Sequence, residues 1–194
     1  MRLGSAALAS AGAGRVIVGL EPASPSAHVV GRAFTVQGAP GDNLALHHAV
    51  AEAEPGEVIV LAVGGEQATA HCGGIVVEAA RRRGIAGIVL DGAIRDRAEI
   101  AASGFPVFHL GTSPRKPRKD GPGALRVAVE LLGVRVSPGD LVCADADGAV
   151  IVAPWDADAL LAAAADIDAR EAEILAQIAA GSTTVDIYGL KELS

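Results

Sequence analysis

Arg95 and Asp96 stand side by side just past the apolar run 85–90 and the turn Asp91-Gly92. A guanidinium grips a carboxylate through two parallel hydrogen bonds. A neighbouring carboxylate can hold a hard divalent cation such as Mg²⁺, which uses few protein oxygens and keeps several waters. The end of a buried strand is also where open α/β sheets place ligands. The plainer reading is a surface ion pair in a turn, which contributes little. Gly73-Gly74, opening a predicted helix, is the second candidate. Without side chains, a ligand can approach the backbone N–H groups at the positive end of that helix, a place for a carboxylate or phosphate. Its plainer reading is a tight strand–helix turn. Both features follow neighbouring predicted strands, so they could face one crevice.

Other polar residues are weaker candidates. His47 and His48 fall inside a predicted helix, where adjacent side chains diverge and chelate one metal poorly, so packing or capping is expected. His71 and Cys72 precede the glycine pair and could line the same pocket, but Cys72 has no evident base to make it a nucleophile. The basic run Arg115-Lys116-Pro117-Arg118-Lys119 reads first as a solvated loop and second as a lid carrying charge to an anionic substrate. Asp145-Ala146-Asp147-Gly148 is a turn; the remaining calcium-loop ligands are missing.

The elements that must position these residues follow from apolar patterning. Residues 29–36, 58–63, 85–90 and 107–110 read as strands, the second and third as continuous apolar runs buried on both faces. Residues 44–53, 75–83 and 98–103 read as intervening helices, and Arg81, Arg82 and Arg83 suit the negative end of the second. This alternation predicts parallel pairing under covering helices. The second half differs: 127–132, 134–136, 141–144 and 149–153 read as short strands in hairpin-like pairs. A long alanine-rich helix over about 156–180 ends at Gly181.

Composition narrows the functional classes. The 194 residues suit one compact domain, 1–194, with no linker dividing it. Hydrophobic residues make up 51% but aromatics only 3%, so stacking surfaces for single-stranded nucleic acid are scarce. A net charge of −7 provides no basic field for DNA or anionic membranes. There is no apolar run long enough for a transmembrane helix, the N-terminal segment is too short and glycine-broken for a signal peptide, and two cysteines lack metal-ligand spacing. A reduced, cytoplasmic protein is expected.

Several segments in order carry a family resemblance: Pro40-Gly41-Asp42-Asn43-Leu44, Pro55-Gly56-Glu57-Val58, Gly73-Gly74, Asp91-Gly92-Ala93-Ile94-Arg95-Asp96, Phe105-Pro106-Val107-Phe108 and Pro138-Gly139-Asp140. Together with Asp145-Ala146-Asp147-Gly148-Ala149-Val150 they resemble the RraA-like family, which includes the 4-hydroxy-4-methyl-2-oxoglutarate / 4-carboxy-4-hydroxy-2-oxoadipate aldolases. The resemblance implies an α/β fold: a single layered domain of swivelling β/β/α type with a central mixed sheet and a long C-terminal helix. It implies a homotrimer, or a hexamer of two trimers, with active sites between subunits.

Carried over by position, the resemblance makes Asp96 the ligand of Mg²⁺ or Mn²⁺ and Arg95 the grip on the 2-oxo acid. The N–H groups of Gly74, Ile75 and Val76, in the turn opened by Gly73, would take the pyruvyl carboxylate. An acidic residue of a neighbour's C-terminal helix, Glu171 or else Glu173, would complete the site. The implied activity is a class II-type lyase. It cleaves 4-hydroxy-2-oxo acids to pyruvate, decarboxylates oxaloacetate, or does both, through a pyruvate enolate. The family's aldolases carry aspartate where this chain has Gly74, so decarboxylation is expected to outrun cleavage, and Gly74→Asp to raise cleavage selectively. Two alternatives remain: a non-catalytic ribonuclease inhibitor, the role of the family's founding member, which lacks the metal-binding aspartate, and a lyase for another oxo acid or sugar acid.

Overall fold

The computed structural model describes residues 3–191. From the N-terminus its elements are α1 (Ser5–Ser10), β1 (Arg15–Ile17), β2 (Glu21–Pro22), β3 (Val29–Gln37), α2 (Leu44–Glu52), β4 (Glu57–Ala62), β5 (Ala70–Cys72), α3 (Gly74–Arg82), β6 (Gly87–Leu90) and β7 (Ala93–Ile94). Then follow α4 (Arg97–Ser103), β8 (Val107–His109), β9 (Gly111–Thr112), β10 (Ala124–Leu125), β11 (Val129–Leu131), β12 (Val134–Val136), β13 (Leu141–Asp145), β14 (Gly148–Val152), α5 (Ala157–Ala179) and α6 (Thr184–Tyr188).

A mixed sheet runs β1-β14-β13-β3-β4-β6-β8-β2, with β10 also pairing β3. Its middle, β3-β4-β6-β8, is parallel. The crossovers carry α2, α3 and α4, as the strand–helix alternation predicts. Period two sorts the apolar residues. Phe34, Ile59, Leu61, Ile88, Leu90 and Val107 pack against Leu46, Val50, Val77, Ala80 and Ile100 of the helices. Ala33, Val58, Val60, Val89 and Phe108 face the other way, onto Val129, Leu131 and Val136 of the β11–β12 hairpin. Both faces are therefore covered, which is why these strands are apolar without alternation. Hairpin, sheet and helices make the β/β/α layering.

The predicted strand 127–132 shortens to β11. Arg126 has φ 53 and Leu132 φ 49, left-handed values that end regular extension, so β10 joins the main sheet while β11 pairs β12. The N-terminal segment forms α1, which packs with Ala7 and Leu8 against Leu160, Leu161 and Ala164 of α5 over β13 and β14. Asp145 fixes this docking by accepting bonds from Ser5 N at 2.7 Å and Ser5 Oγ at 2.6 Å. The C-terminal helix thus begins on its own chain. Its later part and α6 leave Leu175, Ile178, Val185 and Tyr188 exposed.

Candidate active site

Each parallel strand β4, β6 and β8 gives way to a short strand, β5, β7 or β9, and these three form a second, parallel sheet at the C-terminal ends of the first. Arg95 N donates to Cys72 O at 2.9 Å, which draws the start of α3 beside the Arg95-Asp96 turn. The two candidates from the sequence therefore meet. A Cβ on Gly73 would lie 2.9 Å from Asp96 Oδ2 and 3.1 Å from Arg95 Cγ, so only glycine allows this approach.

Asp96 caps α4 in the left-handed region, φ 57, which short polar side chains tolerate better than others. Its Oδ2 accepts from Gly74 N at 3.1 Å and lies 3.5 Å from Arg95 Nε. The anion at the start of α3 is thus the protein's own carboxylate, and the expectation that Gly74 N–H serves the substrate needs correction. Val77 N–H makes the first bond inside α3, to Gly73 O. The N–H groups of Ile75 and Val76 precede it, as the unpaired donors of a helix start do. The Arg95 and Asp96 side chains are 35% and 37% exposed, open to a ligand.

The family resemblance implies an aspartate where this chain has Gly74. In the structure, a Cβ on Gly74 would meet Glu99 Oε2 at 2.9 Å and Asp96 Oδ2 at 3.7 Å. Glu99 thus holds a carboxylate in the space that an aspartate at 74 would enter. The signal was present: Glu99 is three residues past the Asp96 cap, on the turn of α4 that faces back toward it. Glu99 is exposed and its carboxylate is the far end of a flexible side chain, so it can move aside for an aspartate at 74, which would add a second carboxylate beside it.

A cavity of about 120 Å³ is walled by Gly73, Ile75, Val76 and Arg95 on one side and by Asn43, His47, His71 and Lys119 on others; Asp96 and Glu99 do not line it. A shallower depression of about 410 Å³ lies along Asp96, Arg97, Thr112 and Ser113. His71 is fully buried; its Nε2 accepts from Gly41 N at 3.1 Å and sits 3.3 Å from Glu66 Oε2. Burial depresses its pKa, which Glu66 and Asp91 only partly oppose, so the neutral ring is favoured. Burial pushes the Cys72 thiol up to about 12, which makes it a packing residue and not a nucleophile.

The basic run keeps its four charged side chains exposed, as a solvated loop does, but its backbone is pinned. Arg118 N donates to Gly41 O at 3.0 Å and Asn43 N to Arg118 O at 3.1 Å. The buried Asp42 carboxylate accepts from Leu44 N, Asp120 N and Gly121 N at 2.8, 2.9 and 2.8 Å. Burial alone would raise the pKa of Asp42, but these donors and Arg118 outweigh it and hold the group below its usual range. His47, expected only to pack, borders the cavity with its Nε2 buried and unpaired among the described residues. Glu171 and Glu173 lie elsewhere, on a crevice of α5 and α6 with Ser10 and Tyr188. One chain does not bring them to Arg95.

No group of three or more His, Cys, Asp or Glu side chains is placed to hold a metal among the described residues. The site fits Mg²⁺ or Mn²⁺ nonetheless. A half-exposed carboxylate, Asp96, with a second acid close by, leaves the remaining positions to water and substrate, the mode such cations favour.

A profile of the RraA-like family (Aldolase/RraA) matches residues 5–151, and the chain belongs to that family. It is 42% identical over 159 residues to a Halalkalibacterium halodurans protein provisionally named a 4-hydroxy-4-methyl-2-oxoglutarate aldolase, covering 80% of this chain and 76% of that one. Among solved structures, it is similar to the RNA-processing inhibitor RraA from Thermus thermophilis (TM-score 0.73, 28% identity, 78% of this chain and 93% of that). It is also similar to RraAS2 of Streptomyces coelicolor, described as an unusual member of the RNase ES inhibitor RraA family (TM-score 0.77, 33% identity, 91% and 92%). No helix among the described residues is long and apolar enough to cross a membrane.

Proposed function

We propose that the chain is a divalent-metal-dependent carbon–carbon lyase that releases pyruvate from 4-hydroxy-2-oxo acids and decarboxylates oxaloacetate. The observation that carries this reading is the convergence of Arg95, Asp96 and Glu99 on the start of α3. Asp96, with substrate oxygens and water, would hold Mg²⁺ or Mn²⁺. When bound, the cation supplies Lewis-acid stabilisation of negative charge on the 2-oxo oxygen. Ile75 and Val76 N–H groups receive the pyruvyl carboxylate. Arg95 fixes positive charge where the enolate oxygen develops.

Glu99, directly or through one water, accepts the C4 hydroxyl proton. The C3–C4 bonding pair then moves to C3 and is delocalised as the pyruvate enolate, while C4 leaves as a carbonyl compound. The proton held by Glu99 returns to C3 to give pyruvate. In oxaloacetate the same pair is released as CO₂ departs, and no hydroxyl proton has to be removed.

The exposed apolar residues of α5 and α6 support self-association, and a trimer or hexamer would let Glu171 of one copy reach the Arg95 cavity of the next. The likeness to ribonuclease inhibitors of the RraA type motivates a second reading, a binding protein for a ribonuclease. Pyruvate release from 4-hydroxy-4-methyl-2-oxoglutarate with Mg²⁺ decides between them: turnover supports the lyase, and its absence with any divalent metal removes it.

A further inference from the structure

His71 is a buried titratable group that the steps above do not use, and its ring stands between two partners that it can serve only one at a time. On one side Gly41 N–H donates to Nε2 at 3.1 Å. On the other, Glu66 Oε2 lies 3.3 Å from the same nitrogen, buried and without a hydrogen-bond partner among the described residues. An imidazole nitrogen that accepts a hydrogen bond carries no proton, and one that carries a proton can only donate. With Nε2 as acceptor, the neutral ring keeps its proton on Nδ1, which is unpaired beside Gly92; a Cβ there would come within 2.8 Å of it. The neutral state therefore leaves a ring donor and a carboxylate oxygen unserved, and each is costly when buried. The other acids facing the ring are Asp91 and Asp42. Both are already engaged: Asp91 accepts from Val63 N and Gly65 N, and Asp42 from Leu44 N, Asp120 N and Gly121 N. Of the three acids, Glu66 is the one with an oxygen free for a proton on Nε2.

We propose that His71 is a proton-operated switch on the strap 115–121. Neutral, it holds the Gly41 N–H; protonated on Nε2, it gives that bond up and donates to Glu66 Oε2. A charge-assisted bond is roughly twice as strong as a neutral one, which offsets part of the cost of a buried charge. The change reaches the strap because Gly41 is one of its anchors: Gly41 O accepts from Arg118 N at 3.0 Å. The bond from Asn43 Nδ2 to His71 O does not depend on the proton, so the turn loosens without leaving. The strap walls the cavity through Pro117 and Lys119, so acid loosens that wall. Burial favours the neutral ring and outweighs the attraction of Glu66, Asp91 and Asp42, so the changeover falls below the ordinary histidine value of 6.5. Above that value the strap stays tied.

The switch does not rest on the lyase reading and is read without substrate. In amide NMR spectra of the unmodified protein, the Gly41 N–H proton should move upfield as pH is lowered from about 7 to about 4, with its midpoint below the ordinary histidine range. Its hydrogen exchange, corrected for the intrinsic effect of pH, should rise roughly two- to ten-fold, as loss of one hydrogen bond implies. Arg118 N–H should follow with the same midpoint. Glu66→Gln keeps the Gly41 bond but removes the carboxylate, and should push the midpoint lower still. His71→Gln should abolish the transition. A Gly41 resonance that stays put over this range, that titrates with an unmoved midpoint in Glu66→Gln, or that still titrates in His71→Gln would overturn the switch. If His71→Gln does not fold, the unmodified protein and Glu66→Gln decide the matter between them.

Discussion

Replacing Glu99 by Gln keeps the shape of the side chain at the third position of α4 and removes its ability to take a proton. Glu99 Oε2 lies 2.9 Å from where a Cβ at position 74 would stand, so its carboxylate is on the side from which the proposed mechanism takes the C4 hydroxyl proton. General acid–base help accelerates such a step by roughly a hundred- to ten-thousand-fold, about 3–5 kcal/mol in the barrier. Cleavage of 4-hydroxy-4-methyl-2-oxoglutarate should fall within that range. Oxaloacetate decarboxylation should fall less than about ten-fold, since it needs the enolate grip but no hydroxyl proton transfer. The fold should be nearly unaffected: an exposed acid in the first turn of a helix contributes about 0.3–1 kcal/mol. Both rates are read from pyruvate formation, with a thermal melt as control. The swap extends the test. Glu99→Ala combined with Gly74→Asp should recover part of the lost cleavage. Full cleavage by Glu99→Gln, or equal loss of both reactions, would refute this role.

Asp96→Ala should abolish metal-dependent turnover, with Arg95 and the cavity still in place, as circular dichroism and an activity titration with Mg²⁺ would show. His109 is fully buried, and neither ring nitrogen has a well-formed hydrogen bond among the described residues. Burial, aided by Arg97, depresses its pKa to about 4. A depressed histidine favours the fold above the unfolded value of 6.5 and loses that advantage as pH falls toward 4, here on the order of 3 kcal/mol. His109→Leu should therefore flatten the decline in chemical-denaturation stability between pH 6.5 and 4; an unchanged slope would exclude this histidine. Light scattering at micromolar concentration should give a trimer or a multiple of it, and a monomer mass would remove Glu171 from the site.

Much of the fold was legible because buried parallel strands carry continuous apolar runs: residues 58–63 and 85–90 declared β4 and β6 almost to the residue. The short strands β5, β7 and β9 were not, since two or three residues carry no periodicity and their pairing depends on where longer strands end. Arg126 and Leu132 show the same limit: left-handed backbone at the two ends of the run 127–132 trims it to the three residues of β11. At the site, Arg95, Asp96 and the glycine pair were readable from their positions at strand ends. Glu99 was not legible because its approach to position 74 depends on how the start of α4 packs against the start of α3, which residue types alone do not show. The anchor of the basic run was not legible for a related reason: it is a buried aspartate 78 residues away in sequence from Asp120, invisible to local charge patterning.

The central claim is that Asp96, Arg95 and Glu99 form a metal-dependent pyruvate-releasing centre. Its most direct test is continuous measurement of pyruvate from 4-hydroxy-4-methyl-2-oxoglutarate by the purified chain, stripped with chelator and then given Mg²⁺ or Mn²⁺. The account predicts no release from the stripped protein and turnover restored by the metal. Release that persists undiminished in excess chelator, or none with any divalent cation, would contradict it.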